Sequence, residues 1–588
     1  MQRTCTLCSG SMKLGEGHAL FTAECSHSFH FQCIASYVKN GNQICPICQA
    51  KWNDIPFQSP TSDHSHKRAR INPVDWPQLN ASEPGVFNDD DPLASKPELP
   101  SNSTSNIDAA DNKSIIKSID IKTYPEVSAV QRSTSQENFT LLINLKAHVT
   151  NSDQSNNAHK SQTSRAPIDL VTVLDVSGSM KGTKIELLKT AMGFVIENLG
   201  PSDRLSVIAF SSTAQRLFPL RQMTDSGRQH ALQAVKSLFA GGGTNILEGL
   251  KKGARVIEDR REMNPVCSIM LLSDGKDSKR DRSHLQQNLR LRIPVHTFGF
   301  GADHDPVLLY SISEACSGTF SFIEAEGVIQ DAFAQCIGGL LSVVVQDLQV
   351  QVQAVHPDLR LGQIKTGSYS TRLINNNRTG FIDVGDLYAD EERDFLVLVN
   401  VPVVVGEDSS NETKLVNVWC AYKDPCSKET MTTEAKEVKI QRPDIVEEEW
   451  VVVSMEVDRQ RNRLQAAEAM AESRAAAERG DLSSAWTIIE SCRRGLSESA
   501  SSRAGDQLCI ALDAELKEVR ARMEDMQIYE ASGRAYVLSG MSSHSGQRAS
   551  ARADSTDSTG FVNVYRTSSM VDMVTRSQTS MPDRHHPW

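Results

Sequence analysis

Eight residues in the first fifty could hold metal in close pairs: Cys5-x-x-Cys8, Cys25-x-His27, His30-x-x-Cys33 and Cys45-x-x-Cys48. A tight turn inside each pair presents two thiolate or imidazole groups to one ion. Eight such ligands fill two tetrahedral zinc sites with no open position, which is the arrangement of structural rather than catalytic zinc. In this stretch only His18 is left over as an unpaired candidate ligand. A segment this short cannot bury a sufficient core without such staples. A second set of ligands is made of hard oxygens: Asp175-x-Ser177-x-Ser179, Thr244 after three glycines, and Asp274 between Ser273 and Gly275. Hydroxyl and carboxylate oxygens suit octahedral Mg²⁺ or Mn²⁺ rather than zinc. With only two carboxylates, the ion can still accept an acidic group from a partner.

These oxygens need a scaffold that gathers distant loops. From Asp169 onward the pattern alternates strand and helix. Buried strands are expected at 171–174, 204–210, 267–272 and 295–300, and helical spacing at 183–199, 227–238, 245–258, 283–291 and 327–341. Such alternation implies a doubly wound α/β domain with a mostly parallel sheet, over residues 166–345. Loops at the carboxyl ends of its strands are where ligands bind, and the three oxygen-bearing motifs fall in such loops. Residues 346–455 alternate apolar and polar and read as a β-sandwich, to which a strand at 139–149 within 126–165 could add. Residues 456–540 carry Ala, Leu, Glu and Arg at helical spacing, with Gly480-Asp481 closing one helix and capping the next. They read as a helical bundle packed on the sandwich, or alternatively as a self-associating or substrate-docking one.

Two segments lack periodicity. Residues 53–125 are rich in Pro, Ser, Asn and Asp and read as a disordered linker, with a basic cluster at Lys67-Arg68-Ala69-Arg70 and one aromatic spot around Trp76. Residues 541–588 read as a disordered Ser-rich tail, interrupted by an apolar island at Ser569–Val574 with a capping-box-like start.

Composition narrows the function classes. The 588 residues hold 62 Lys plus Arg against 73 Asp plus Glu, a net charge of −11, so nothing global favours nucleic acid. The strongest apolar run, at 340–345, is far too short for a membrane helix, which needs about 20 residues. The start Met1–Cys5 has no apolar signal region. Six of the 13 cysteines lie between Cys5 and Cys48 and the rest are scattered, which is not the pattern of a disulfide scaffold. A reducing compartment is expected: the cytoplasm, with the nucleus as an alternative if the basic cluster is read as a signal.

The first fifty residues resemble the RING-H2 finger of E3 ubiquitin ligases. The resemblance implies interleaved pairs, with Cys5, Cys8, His30 and Cys33 on one zinc and Cys25, His27, Cys45 and Cys48 on the other. It also implies a conjugating-enzyme surface at Leu7, Tyr37, Pro46 and Gln49. Tyr37 stands where many members have Trp, and Gln49 where the most active often have Arg. Residues 168–345 resemble the von Willebrand factor A domain with its metal-ion-dependent adhesion site, which implies magnesium at Asp175, Ser177, Ser179, Thr244 and Asp274. The order of modules resembles the plant wavy-growth RING ligases. That implies ubiquitin transfer without a catalytic residue of the chain's own, a ubiquitin-conjugating enzyme as partner, and a von Willebrand domain that recruits a protein substrate or other partners; the two-carboxylate metal site adds the expectation that an acidic side chain of the partner is what it takes. The competing expectation is a non-catalytic scaffold or adhesion protein.

Overall fold

The computed structural model describes parts of residues 4–50, and residues 84–93, 119–148, 165–277, 293–404, 411–447, 451–552 and 564–580. It divides into two compact units, Met1–Glu83 and Pro84–Trp588. The helix expected at 283–291, the basic cluster at 67–70 and Trp76 lie outside the described residues.

In the first unit, β1 (Leu20–Thr22) pairs antiparallel with β2 (Ser28–His30). The buried apolar cluster there is Cys5, Phe29, Ile34 and Cys45, with Leu7, Cys25, Cys33 and Tyr37 packed against it. Four side chains are too little apolar area to hold a chain against its conformational entropy. The metal-type residues must supply the rest.

The second unit is built on three sheets. The first has the order β10-β9-β8-β5-β6-β7, formed by β5 (Ile168–Asp175), β6 (Arg204–Phe210), β7 (Ala214–Gln222), β8 (Val266–Ser273), β9 (Val295–Phe300) and β10 (Phe320–Ile323). All its pairings are parallel except β6 with the edge strand β7. All eight residues of β5 are buried, as expected of a central strand covered on both faces. The covering helices are α1 (Thr183–Asn198), α2 (Asp225–Lys236), α3 (Ile246–Glu258), α4 (Pro306–Ala315) and α5 (Ile329–Leu340). The sequence pattern did not mark β7 or β10. β7 buries few of its residues and β10 has only four.

Two antiparallel sheets follow. One contains β11 (Val343–Ala354), β13 (Ser370–Ile374), β14 (Thr379–Tyr388) and β16 (Glu412–Lys423), and the other has the order β12-β15-β4-β3, where β12 is Leu361–Lys365. In the latter, β4 (Gln136–Ala147) pairs with β15 (Glu392–Val401) and with β3 (Ile119–Pro125). Phe139, Leu141 and Phe395 from one sheet share an apolar cluster with Val350, Val352 and Val418 from the other. The helices are α6 (Met455–Glu478), α7 (Leu482–Glu498), α8 (Gln507–Ala521) and α9 (Arg534–Gly546). Between α6 and α7, Gly480 takes a φ of +82° and the Asp481 side chain accepts from Ser484 N at 3.0 Å, a stop and a start in adjacent residues.

Two expectations are corrected. Residues 541–552 are not a disordered tail: they finish α9 and run on in a largely buried path against the α/β sheet, where Phe322 N donates to Ala551 O at 2.9 Å. The apolar island at 569–574 opens helix α10 (Ser568–Ser580), which buries Met570, Met573 and Val574. It packs on α5 so closely that a Cβ on Gly338 would stand 2.8 Å from Ser569 O. The linker expected over 53–125 also contains structure. Residues 119–125 form β3, and Pro84–Leu93 lies on the α/β domain with Phe87 fully buried.

Two buried histidines make this unit acid-sensitive. Burial lowers His296 to about 3 and His304 to about 4. Each stays neutral when folded but takes a proton when unfolded below its ordinary value near 6.5. Stability present at neutral pH is therefore lost as pH falls from about 6.5 toward 4, by up to about 1.4 kcal/mol per unit for each group. Thermal melting at pH 7, 6 and 5 should show the midpoint of wild type falling, and falling less steeply in His296→Gln.

Candidate functional site

The eight Cys and His residues fall into two sets, Cys5 with Cys8, His30 and Cys33, and Cys25 with His27, Cys45 and Cys48. Within each set one ligand atom per residue lies within 4.8 Å of the others. Cys8 Sγ is 3.2 Å from His30 Nδ1, and Cys45 Sγ is 3.7 Å from His27 Nδ1. Tight turns make this possible: Cys8 N donates to Cys5 O at 3.3 Å, and Gln49 N to Cys45 O at 2.9 Å. The third and first pairs meet because β2 carries His30 back across the Cys5 turn, where His30 N donates to Cys5 Sγ at 3.5 Å. The sets interleave first pair with third and second with fourth. Soft thiolates with imidazole in sets of four are the donor chemistry of closed tetrahedral zinc.

Of the residues expected to face a conjugating enzyme, Leu7, Tyr37 and Pro46 are half-buried, and Leu7 and Tyr37 pack on the small core. Gln49 is exposed and sits at φ +57°. The sequence reading missed Ile44 and Ile47, each 44% exposed beside Pro46. Apolar residues inside and next to a Cys-x-x-Cys turn, where no core can reach them, were the available signal.

The oxygen set lies at the carboxyl edge of the parallel sheet. Asp175 ends β5, Ser177 and Ser179 follow in the turn before α1, Thr244 precedes α3, and Asp274 follows β8. The loops are joined by the backbone: Gly241 N donates to Val176 O at 2.7 Å and Gly178 N to Gly242 O at 2.9 Å. Ser177 Oγ lies 2.9 Å from Ser179 Oγ, which donates to Asp274 Oδ1 at 2.6 Å. Asp175 accepts from Ser177 N at 2.8 Å and from Ser273 Oγ at 2.6 Å. Thr244 is brought against Gly275, where a Cβ would stand 2.6 Å from Thr244 Oγ1. Glycine there is what lets the third loop close on the second.

Asp175 and Asp274 are both fully buried. Burial pushes Asp175 up to about 6, against the hydrogen bonds from Ser177 and Ser273 that hold it down. A buried carboxyl of this kind gains from a nearby cation, and the hard donor set fits Mg²⁺ or Mn²⁺. Asp274 already has one positive neighbour: Lys184 Nζ donates to its Oδ2 at 2.7 Å and stands 5.4 Å from the centre of the Phe300 ring. Sequence reading missed Lys184. The signal was a lysine in the first turn of a helix, where the helix dipole opposes positive charge unless a carboxylate compensates.

Cys45→Ser combined with Cys48→Ser removes two of four ligands from one set. Because structural metal contributes its binding energy directly to folding, zinc measured per chain should drop by about one ion or more. The pH-dependent melting of residues 84–588 should be unchanged. Two zincs retained would overturn the ligand assignment.

Three family models match the chain: Ring finger domain over residues 3–49, von Willebrand factor type A domain over 169–335, and VWA / Hh protein intein-like over 506–579. The E3 ubiquitin-protein ligase WAV3 of Arabidopsis thaliana is 33% identical over 582 residues, covering 90% of this chain and 75% of that protein. E3 ubiquitin-protein ligase WAVH1 of the same plant is 30% identical, covering 88% and 74%. A solved von Willebrand factor type A protein from Catenulispora acidiphila shares the fold at a TM-score of 0.53 and 18% identity, over 71% of this chain and 98% of that one.

Proposed function

The chain belongs to the family of WAV3-type E3 ubiquitin-protein ligases, and from that premise we propose how its parts divide the work. It is a RING-type ubiquitin transferase. The observation that carries the mechanism is the pair of interleaved four-ligand sets, which take up all six cysteines of the finger and leave no open metal position. Transfer then depends on holding a charged conjugating enzyme and its thioester-linked ubiquitin in a reactive pose, which is catalysis by positioning. Zinc, when bound by the eight residues, fixes the two loops that present Leu7, Tyr37, Pro46 and, in our reading, Ile44 and Ile47 to that enzyme.

We assign substrate recruitment to the von Willebrand domain. Asp175, Ser177, Ser179, Thr244 and Asp274 would hold Mg²⁺ or Mn²⁺, and the ion would supply a Lewis-acidic position for a partner's carboxylate. We read the paired antiparallel sheets as a β-sandwich that supports this domain. The 13 free cysteines suit a reducing compartment, and we propose the cytoplasm. Among the described residues no helix is long and apolar enough to cross a membrane.

Gln49 supports a restrained ligase. Arginine there could fork two charged hydrogen bonds between carrier and ubiquitin, and glutamine lacks the charge. Gln49→Arg should raise the rate of autoubiquitination, and Leu7→Ala should lower it roughly tenfold or more while both zincs stay bound. Equal rates for all three chains would favour the non-catalytic scaffold.

Recruitment is tested separately. Because Asp175 orders Ser177 and Ser273, Asp175→Asn is a gentler probe than alanine. It should abolish Mg²⁺ binding by calorimetry and weaken substrate capture, with autoubiquitination unchanged. Capture insensitive to both EDTA and Asp175→Asn would remove the metal from the recruitment role.

A further inference from the structure

The segment Val86-Phe87-Asn88-Asp89-Asp90-Asp91-Pro92-Leu93 lies along the exposed edge of β7 and the end of α3. Its apolar anchor is Phe87, which is 0% exposed and packs between the guanidinium groups of Arg216 and Arg255, 4.1 and 4.7 Å from the ring centre. Phe87 N donates to Asp259 Oδ2 at 2.9 Å. The three aspartates are each read. Arg216 donates two hydrogen bonds to Asp89, at 2.6 and 2.8 Å. Arg261 N donates to Asp90 Oδ2 at 3.2 Å. Asp91 N donates to Leu220 O at 2.9 Å and its carboxylate accepts from Gln222 N at 2.9 Å, one backbone and one side-chain bond to the edge of β7. Arg204 Nη1 donates to Asp91 O and Gln222 Nε2 to Pro92 O, at 2.8 and 2.6 Å.

A mere cover for an edge strand needs backbone pairing or a charge. An aromatic clamped by two arginines, followed by a bidentate arginine–carboxylate pair, is instead the chemistry of a recognised peptide. We propose that residues 84–93 are an aromatic–acidic docking motif read by this arginine-lined face, and that the contact anchors the RING-bearing arm to the von Willebrand domain.

The consequence is one of reach. Without the anchor, residues 51–118 connect the finger to β3, and 68 residues span at most roughly 245 Å when fully extended. With it, residues 51–83 connect the finger to the anchor, and 33 residues span at most roughly 120 Å. The anchor therefore halves the farthest distance at which the finger can deliver ubiquitin to a protein held by the domain.

The docking half stands apart from the ligase reading; only the reach argument rests on it. A protease site placed between residues 94 and 118 of the full chain separates the two questions. After cleavage, the N-terminal piece should co-elute with the remainder in wild type, and a synthetic peptide of residues 84–93 in excess should displace it. Phe87→Ala, which loses the anchor, and Asp89→Lys, which alters a half-exposed residue outside the core, should each release the piece at least tenfold more readily. The intact Asp89→Lys chain should melt as wild type does. Cut wild type should continue to modify lysines in residues 94–588, and the released variants should not. If the cut wild-type pieces separate as readily as those of both variants, the docking proposal is overturned. If they stay together but modify the same lysines as the released variants, the anchoring of reach is overturned. An intact chain that never transfers ubiquitin would sink the ligase reading alone, because co-elution still decides the docking.

Discussion

Charge buried where three bodies meet governs the second unit. Glu391, in the turn between β14 and β15, is 2% exposed and is met by Arg393 at 2.7 Å and by Arg548 at 2.8 and 2.9 Å. Burial alone would raise its carboxyl, yet Arg393 and Arg548 hold it down to about 2. Glu515, on α8, is likewise 2% exposed; His544 lies 2.7 Å away and Arg552 pairs with it directly, and it too is held to about 2 against its burial. Arg552 reaches from the strand-like stretch that bridges β10 of the α/β sheet. Removing one partner from such a pair leaves an uncompensated buried charge, at a cost of about 3–5 kcal/mol. The α/β domain, the antiparallel sheets and the helices are therefore tied by groups that none of them could bury alone.

This constraint explains where the sequence was readable and where it misled. The zinc-type pairs and the Asp-x-Ser-x-Ser turn were legible because their chemistry is local: ligands a few residues apart declare themselves whatever the rest of the chain does. The parallel sheet was legible through its continuous apolar strands. Residues 541–552 were not, because composition judged them by what they could bury as side-chain area. Serines of this stretch and of α9 just before it act instead as hydrogen-bonding groups. Ser543 Oγ donates to Arg548 O at 2.9 Å and lies 2.9 Å from Ser550 Oγ, while Ser539 Oγ donates to Ala551 O at 3.1 Å. A polar segment becomes ordered when its partners already exist elsewhere in the fold, and nothing local announces those partners. Phe87 was hidden for the same reason, as one aromatic in an acidic stretch whose clamp lies about 130 and 170 residues away.

The two candidate metal centres differ in donor chemistry and in closure. The thiolate and imidazole sets are closed by their own four ligands, so zinc there can shape a surface but cannot receive a partner. The oxygen set has two carboxylates and three hydroxyls at a sheet edge, and Lys184 already shares Asp274. Its electrostatics follow from formal charge. The two aspartates bring two formal negative charges to the set, and the Lys184 ammonium on Asp274 offsets one of them. A divalent cation held here would have to share Asp274 with that lysine. Removing the lysine would free Asp274 Oδ2 for such a cation while leaving both carboxylates in place, which separates the role of the ammonium from that of the carboxylates in a way that a change at either aspartate cannot.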